Sequence, residues 1–136
     1  MKNDVLELRQ EGIFCPAGDF FIDPRGKVER AVITHAHSDH GRPGHGSYLC
    51  SETCKNLLKI RIGGDALIES LPFGEKIKIG QAFVSFHPAG HILGSAQIRV
   101  EVNDQVWVVS GDYKPQADQT CEPFELVKCN GYVSEC

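Results

Sequence analysis

Three histidines and one aspartate lie within a six-residue segment, His35-Ala36-His37-Ser38-Asp39-His40. Neutral imidazoles and carboxylates are ligands that suit zinc and similar divalent cations. His35 and His37 can converge on one ion, and a turn through Ser38 brings Asp39 and His40 toward a second. The spacing therefore predicts a site for two divalent metal ions.

Two residues further along the chain can complete such a site. His91 lies between Gly90 and Gly94, and glycine allows the backbone to approach a metal closely. Asp112 follows the apolar run at residues 106–109, and its carboxylate could bridge both ions. We therefore expect His91 and Asp112 to join the histidine-rich segment as ligands.

Short strands must position these residues. Apolar segments bounded by glycine, proline or Asn-Asp turns are typical of strands, and they occur at residues 20–22, 31–34, 76–79, 82–86, 96–102, 106–109 and 131–134. Helical spacing of apolar residues between Cys54 and Ile62 predicts a helix that Ser51 caps and Gly63-Gly64 ends. The expected fold class is α/β (α+β), a mixed and mostly antiparallel sheet with a covering helix.

Composition narrows the class of protein. The chain has 136 residues, of which 41% are hydrophobic and 24% charged, which predicts one soluble domain or part of one. No apolar run approaches the ~18 residues of a membrane span, and acids near the N-terminus replace the apolar stretch of a secretory signal. We expect a cytoplasmic protein without membrane association, whose six cysteines are reduced. A net charge of −4 argues against a broad lysine surface for nucleic acid, but not against phosphate binding through metal.

The order of these residues resembles the metallo-β-lactamase superfamily: Asp23 first, then residues 35–40, then His91, then Asp112. Within it, the chain resembles the β-CASP nucleases, and most closely the bacterial DNA ligase-associated exonucleases. That second likeness rests on GDFFIDP at residues 18–24, HGRPGHG at 40–46 and FHPAGH at 86–91. The fold that it implies is the N-terminal part of an αββα sandwich.

The resemblance also implies a ligand set. One metal would be held by His35, His37 and His91, and the other by Asp39 and His40, with Asp112 bridging the two. Asp39, His40 and Asp112 are accordingly the catalytic candidates. The cofactors would be two divalent metal ions, zinc in the first instance, with manganese as an alternative.

Five further residues have supporting roles by the same resemblance or by position. Asp23 would orient a ligand, and Glu135 matches the acid that opens the β-CASP segment. His87, at a strand end four residues before His91, is a candidate hydrogen-bond donor to a ligand. Arg42 and Lys114, next to the proposed ligands, are candidate phosphate contacts.

The same resemblance implies that residues 1–136 are the N-terminal portion of a metallo-β-lactamase domain. The β-CASP cap, the second half of the sandwich and a late histidine ligand of the family have no counterpart in them. We therefore expect the C-terminal part of the same protein as a partner, together with nucleic acid, in particular DNA, and a DNA ligase.

The predicted function is a metal-dependent phosphodiester hydrolase, a DNA exonuclease that acts with a DNA ligase in repair. In that mechanism a hydroxide activated by two zinc ions attacks phosphorus. The alternatives are a β-CASP RNase of the mRNA 3'-end processing type, a small-molecule thioester or lactam hydrolase, and a non-catalytic fragment with a partial metal site. The small-molecule branch usually carries Thr-Pro-Gly-His at its third motif, where this chain has Pro88-Ala89-Gly90-His91.

Overall fold

The computed structural model describes residues 5–36, 40–63, 65–90, 94–110 and 127–133, which form two mixed sheets and one α-helix. The first sheet contains, in spatial order, β1 (Glu7–Arg9), β2 (Gly12–Cys15), β3 (Phe20–Ile22), β4 (Arg30–Val32), β5 (Ser47–Ser51) and β6 (Ile68–Leu71). The second contains β11 (Gly131–Val133), β10 (Gln105–Val109), β9 (Ala96–Val102), β8 (Ala82–Pro88) and β7 (Ile77–Ile79). The mixed α/β class predicted from the sequence is confirmed.

The pairing of neighbouring strands in the first sheet changes from antiparallel to parallel across the sheet. Strands β1, β2 and β3 are antiparallel neighbours, whereas β3, β4, β5 and β6 are parallel. The carboxyl ends of β3, β4 and β5 therefore lie at one edge. The residues that follow these ends are Asp23, Ile33-Thr34-His35 and Glu52, so two of the predicted site residues leave the sheet at the same edge.

The helix α1 (Lys55–Ile62) follows a short 3-10 turn (Glu52–Cys54) and connects β5 to β6. Its buried Leu58 packs with Ala31 of β4 and with Ile33, which follows β4, and Gly63, with φ of 103°, ends the helix as predicted. The prediction that Ser51 caps the helix is wrong. Its hydroxyl donates instead to the carbonyl oxygen of Gly94, at 2.5 Å, because Ser51 is buried where that distant carbonyl needs a donor.

Two tight hairpins build the second sheet, as the sequence predicts. Gly80, with φ of 60°, turns β7 into β8, and Asn103, with φ of 54°, turns β9 into β10. The neighbours Val108 and Val109 point to opposite faces of β10, and both are buried. The second sheet is therefore covered on both faces at this point, as the apolar run at residues 106–109 predicts.

The main core lies between the two sheets. The first sheet contributes Cys15, Phe20, Ile22 and Val32, and the second contributes Val84, Phe86, Ile98, Val100 and Val109. At the edge that carries the candidate site, the backbone N–H of Ala96 donates to the carbonyl oxygen of Thr34 at 2.8 Å. This bond ties the start of β9 to the end of β4. Among the described residues, no helix has the length and apolar character needed to cross a bilayer.

Thiol reactivity provides a test of this packing. Cys15, Cys50 and Cys54 are fully buried, whereas Cys129 is exposed. Burial raises the pKa of Cys15, and a hydrogen bond with Cys54 together with burial raises the pKa of Cys50. In the native protein we expect iodoacetamide to label Cys129 at least about tenfold faster than these three, because the thiolate is the reactive form. Peptide mass spectrometry measures the rates, and unfolding in guanidinium should equalise them. Equal labelling of Cys50 and Cys129 before unfolding would contradict this packing.

Candidate metal centre

The centre begins with Asp23, the residue after β3. Its backbone has φ of 46°, a left-handed conformation that aspartate tolerates better than most residues. Its own N–H donates to the carbonyl oxygen of Val32, at 3.0 Å, across the parallel pair β3–β4. This arrangement directs the Asp23 carboxylate toward the residues that follow β4.

The carboxylate accepts three hydrogen bonds there. The backbone N–H of Thr34 donates to Oδ1 at 2.8 Å, and the Thr34 hydroxyl donates to Oδ2 at 2.6 Å. His40 Nδ1 lies 2.8 Å from the same Oδ2. The side chains of His40 and Asp23 are only 6% and 9% exposed, so this pair is largely removed from water. One buried carboxylate therefore holds both a strand end and a histidine ring.

His35 joins the same network through Thr34. Its Nδ1 lies 2.9 Å from the Thr34 hydroxyl oxygen, and the residue is fully buried. The rings of His35 and His40 are adjacent, with centroids 4.1 Å apart and planes inclined by 41°. Two imidazoles of the histidine-rich segment are thus brought side by side, each held through its Nδ1 atom.

The acceptor-only chemistry of an ionised carboxylate assigns the protons in this network. Because Asp23 cannot donate, the Thr34 hydroxyl gives its proton to Oδ2 and its oxygen accepts from His35 Nδ1–H. By the same reasoning, His40 Nδ1–H donates to Oδ2. In a neutral ring the other nitrogen then carries the lone pair. Both His35 and His40 consequently present Nε2 as the atom able to bind a cation.

This donor set fits a divalent metal ion. Histidine ligands in metal sites typically donate their other ring N–H to a carboxylate or another fixed acceptor, which sets the tautomer and orientation. His40 has such a contact directly with Asp23, and His35 has it through Thr34. Within the described residues, no group of three or more histidine, cysteine or acidic side chains could hold a metal, so these two imidazoles are a partial set.

Most of the other predicted site residues lie outside the described residues: His37, Asp39, His91, Asp112, Lys114 and Glu135. Their roles stay predictions. The described residues next to them do lie at the relevant edge. Ala89 N–H donates to the Ser95 carbonyl at 3.0 Å, and Ala96 is bonded to Thr34, so both flanks of the His91 segment are anchored beside the network. The end of β10 is held at Ser110, whose N–H donates to the Val133 carbonyl at 2.9 Å.

Arg42 is half-buried in the loop after His40. Its carbonyl accepts the Tyr48 hydroxyl at 2.6 Å, and its guanidinium Nε is buried without a hydrogen-bond partner among the described residues. Burial, and then the nearby Arg42 charge, lower the pKa of His45. The described surroundings of Arg42 are therefore His45 and Tyr48, and its contact with phosphate stays a prediction.

His87 is half-buried near the end of β8, and its Nε2 lies 2.9 Å from the Ser85 hydroxyl. Both alternate along the strand with Val84 and Phe86, which pack between the sheets, so His87 and Ser85 lie on the opposite face. Its predicted role as a donor to a metal ligand stays a prediction.

Thr34 is the functional residue that sequence reasoning missed. Its hydroxyl is the link between Asp23 and His35, yet from the sequence alone it is only the last residue of a predicted strand. A hydroxyl residue directly before the first histidine, at the end of a strand parallel to one that ends in aspartate, is the signal that could have identified it.

Comparisons with known proteins agree with this architecture. No family model matches the chain. A protein of Opitutus terrae described as "Probable DNA ligase" is 32% identical over 114 residues, which is 82% of this chain and 11% of that protein. The chain thus spans about a tenth of the length of the curated relative that it matches.

Solved structures identify the fold. A Cronobacter sakazakii metallo-β-lactamase with the HARLDQ motif superposes with a TM-score of 0.60 at 12% identity, covering 82% of this chain and 63% of that one. The flavodiiron protein of Giardia intestinalis superposes with a TM-score of 0.55 at 18% identity, covering 74% of this chain and 31% of that one. The chain has the metallo-β-lactamase fold.

The role of Thr34 can be tested by Thr34→Val, which keeps the shape of the side chain and removes the hydroxyl. His35 Nδ1–H then loses its acceptor, so we expect a larger population of the other tautomer, a loss of stability of about 1–3 kcal/mol and about 10–100-fold weaker zinc binding. Long-range ¹H–¹⁵N NMR of the metal-free protein reports the tautomer, and competition with a chelator reports the affinity.

Thr34→Ser is the matched control, because it retains the hydroxyl. It should restore the wild-type ring-nitrogen shifts of His35 and most of the zinc affinity. Identical His35 nitrogen shifts in the valine variant and the wild type would show that Thr34 does not set the tautomer.

Proposed function

We propose that this chain is part of a metal-dependent phosphodiester hydrolase, specifically a DNA exonuclease of the β-CASP branch that works with a DNA ligase. The observation that carries the proposal is the buried network in which Asp23 fixes His40 directly and His35 through Thr34. Because that network engages the Nδ1 atoms of both rings, a cation bound to them would be held through Nε2.

The proposed ligand set extends this pair. His35, His37 and His91 would hold one divalent cation and Asp39 and His40 the other, with Asp112 available to both. The described residues that follow His91 are anchored beside the network, Gly94 at Ser51 and Ala96 at Thr34, which supports the participation of that histidine. Zinc is the first choice of metal for this set, with manganese as the alternative.

Two bound divalent cations would supply a nucleophile at neutral pH, by lowering the pKa of a bound water, and would stabilise charge on the phosphate oxygens. The residues of the chain would bind the cations and orient the ligands. His35 and His40 would bind through Nε2, and Asp23 and Thr34 would keep their rings in place. Asp39 and Asp112 are the only acids among the six ligands, so the set leaves a positive excess that favours an anionic phosphodiester over a neutral lactam or thioester.

The likeness to the Opitutus terrae protein supports DNA as the substrate. That protein is described as "Probable DNA ligase", and this chain matches only 11% of its length, so the matching unit is a small part of a larger protein. A nuclease and a ligase act on the same strand ends, which gives the association a chemical reason. DNA as the substrate, the ligase as a partner and the β-CASP branch all belong to the proposal.

Metal content tests the ligand set independently of turnover. We expect elemental analysis to find about two equivalents of zinc in the wild-type chain and about one fewer in His37→Ala, because a site that loses one of three ligands binds much more weakly. His45→Asn is a matched control, since it removes an imidazole outside the proposed set. Equal zinc content in His37→Ala and the wild type would overturn the ligand assignment.

The reaction is tested with the zinc- or manganese-loaded protein on end-labelled single-stranded DNA, RNA of the same sequence, and a thioester. The proposal predicts cleavage of DNA that His37→Ala lowers by at least about 100-fold. Cleavage of RNA alone would indicate the RNase alternative, and cleavage of the thioester alone the small-molecule alternative.

A further inference from the structure

The end of β5 makes a direct contact with the segment that follows His91. Ser51 is the last residue of β5 and is only 1% exposed. Its hydroxyl donates to the carbonyl oxygen of Gly94 at 2.5 Å. Because Gly94 comes three residues after His91 in the sequence, this bond connects the first sheet to the segment that carries a proposed ligand.

The backbone packs tightly at the same point. A Cβ placed on Gly94 would lie 2.6 Å from the Cα of Cys54 and 2.7 Å from the carbonyl carbon of Thr53. Gly94 also has φ of 77°, a conformation that residues with a side chain rarely adopt. The turn after β5 and the segment after His91 are thus in backbone contact. We call this contact, together with the hydrogen bond from Ser51 to Gly94, the Ser51–Gly94 anchor.

Two further bonds fix the neighbours of Gly94. The backbone N–H of Ala89 donates to the carbonyl oxygen of Ser95 at 3.0 Å, next to the pairing of β8 with β9. The backbone N–H of Ala96 donates to the carbonyl oxygen of Thr34 at 2.8 Å. Residues 94–96 therefore lie between Ser51 on one side and the Asp23–Thr34 network on the other. The Ser51–Gly94 anchor fixes the described end of the His91 segment relative to that network.

Ser51 makes this contact in place of a local one. A serine that precedes a helical turn ordinarily accepts a hydrogen bond from a backbone N–H of that turn, and losing such a cap costs about 0.5–2 kcal/mol. Ser51 has no such bond. A buried carbonyl left without a donor costs about 1–3 kcal/mol, so the bond to Gly94 offsets the missing cap. Departures from a local preference are expected where a residue supports a functional site.

We propose that Ser51 is a positioning residue of the candidate metal centre, which acts through Gly94 to hold the His91 segment where its imidazole reaches the cation bound by His35. This inference rests on the proposed function, because His91 is a ligand only in that proposal and lies outside the described residues. Ser51 itself would touch neither the cation nor the substrate. Its effect on metal binding would therefore depend on the presence of the His91 ring.

Zinc affinity, measured by competition with a chelator, tests the role of Ser51 without reference to turnover. We expect Ser51→Ala to weaken the binding of one of the two zinc equivalents about tenfold, as is typical when a residue that orients a ligand is removed. Ser47→Ala is the matched control. Ser47 begins the same strand, and its hydroxyl also donates to a backbone carbonyl, that of Glu29 at 3.3 Å, but at the opposite end of β5. This variant should bind zinc as the wild type does.

A double-mutant cycle with His91→Ala distinguishes positioning from general support of the fold. If Ser51 acts through His91, removing its hydroxyl from a chain that lacks the imidazole causes no further loss of zinc affinity. The same tenfold loss in both backgrounds would overturn the proposal, since Ser51 would then stabilise the centre independently of His91. Wild-type zinc affinity in Ser51→Ala, or in His91→Ala, would overturn it as well.

Hydrolysis of bis(p-nitrophenyl) phosphate by the zinc-loaded wild type tests the proposed function separately. Absent hydrolysis, with zinc affinities in which the effect of Ser51→Ala depends on His91, rejects the hydrolase and leaves the positioning role intact. Hydrolysis with independent effects of the two substitutions leaves the hydrolase intact and rejects the role of Ser51.

Discussion

The buried Asp23 carboxylate is the group on which the rest of the candidate centre depends. It accepts hydrogen bonds from the Thr34 backbone N–H, from the Thr34 hydroxyl and from His40 Nδ1. Through the Thr34 hydroxyl it also holds the His35 ring in place. A buried acceptor left without donors costs about 1–3 kcal/mol, so the histidines and the threonine stabilise Asp23 as much as it orients them. The positive φ of Asp23, together with the parallel pairing of β3 and β4, allows one carboxylate to reach all of these partners.

Local signals explain what the sequence predicted well. The hairpin around Asn103 and the turn at Gly80 are set by residues that accept positive φ, and both were predictable from the chain itself. Strands β1, β2, β5 and β6 were not predicted. β5 and β6 are parallel and pair with neighbours distant in sequence, so little in their own residues marks them. β1 is exposed along its whole length and therefore lacks the apolar alternation that marks a half-buried strand. The outer strands of the first sheet are therefore the part that needed the structure.

In the candidate site, too, features set by local residues were predictable and features set by contacts between distant segments were not. Residue types and spacing were enough to select His35 and His40 as candidate ligands. Which ring nitrogen each presents was not predictable, because the tautomers depend on Asp23 and Thr34, which meet through strand pairing. Ser51 is a comparable case, since its favoured local role as a cap gives way to a carbonyl 43 residues away. Contacts between distant segments decide these details.

The metallo-β-lactamase fold by itself does not define a reaction, since the superposable proteins include a metallo-β-lactamase and a flavodiiron protein. What distinguishes this chain is the pair of imidazoles that Asp23 and Thr34 hold in place. Zinc-edge anomalous diffraction from crystals of the zinc-loaded protein tests the central claim most directly. The account predicts density peaks about 2.0–2.1 Å from Nε2 of His35 and of His40, with both Nδ1 atoms still bonded to Thr34 and Asp23. Zinc bound at either Nδ1 atom, or peaks remote from both rings, would contradict it.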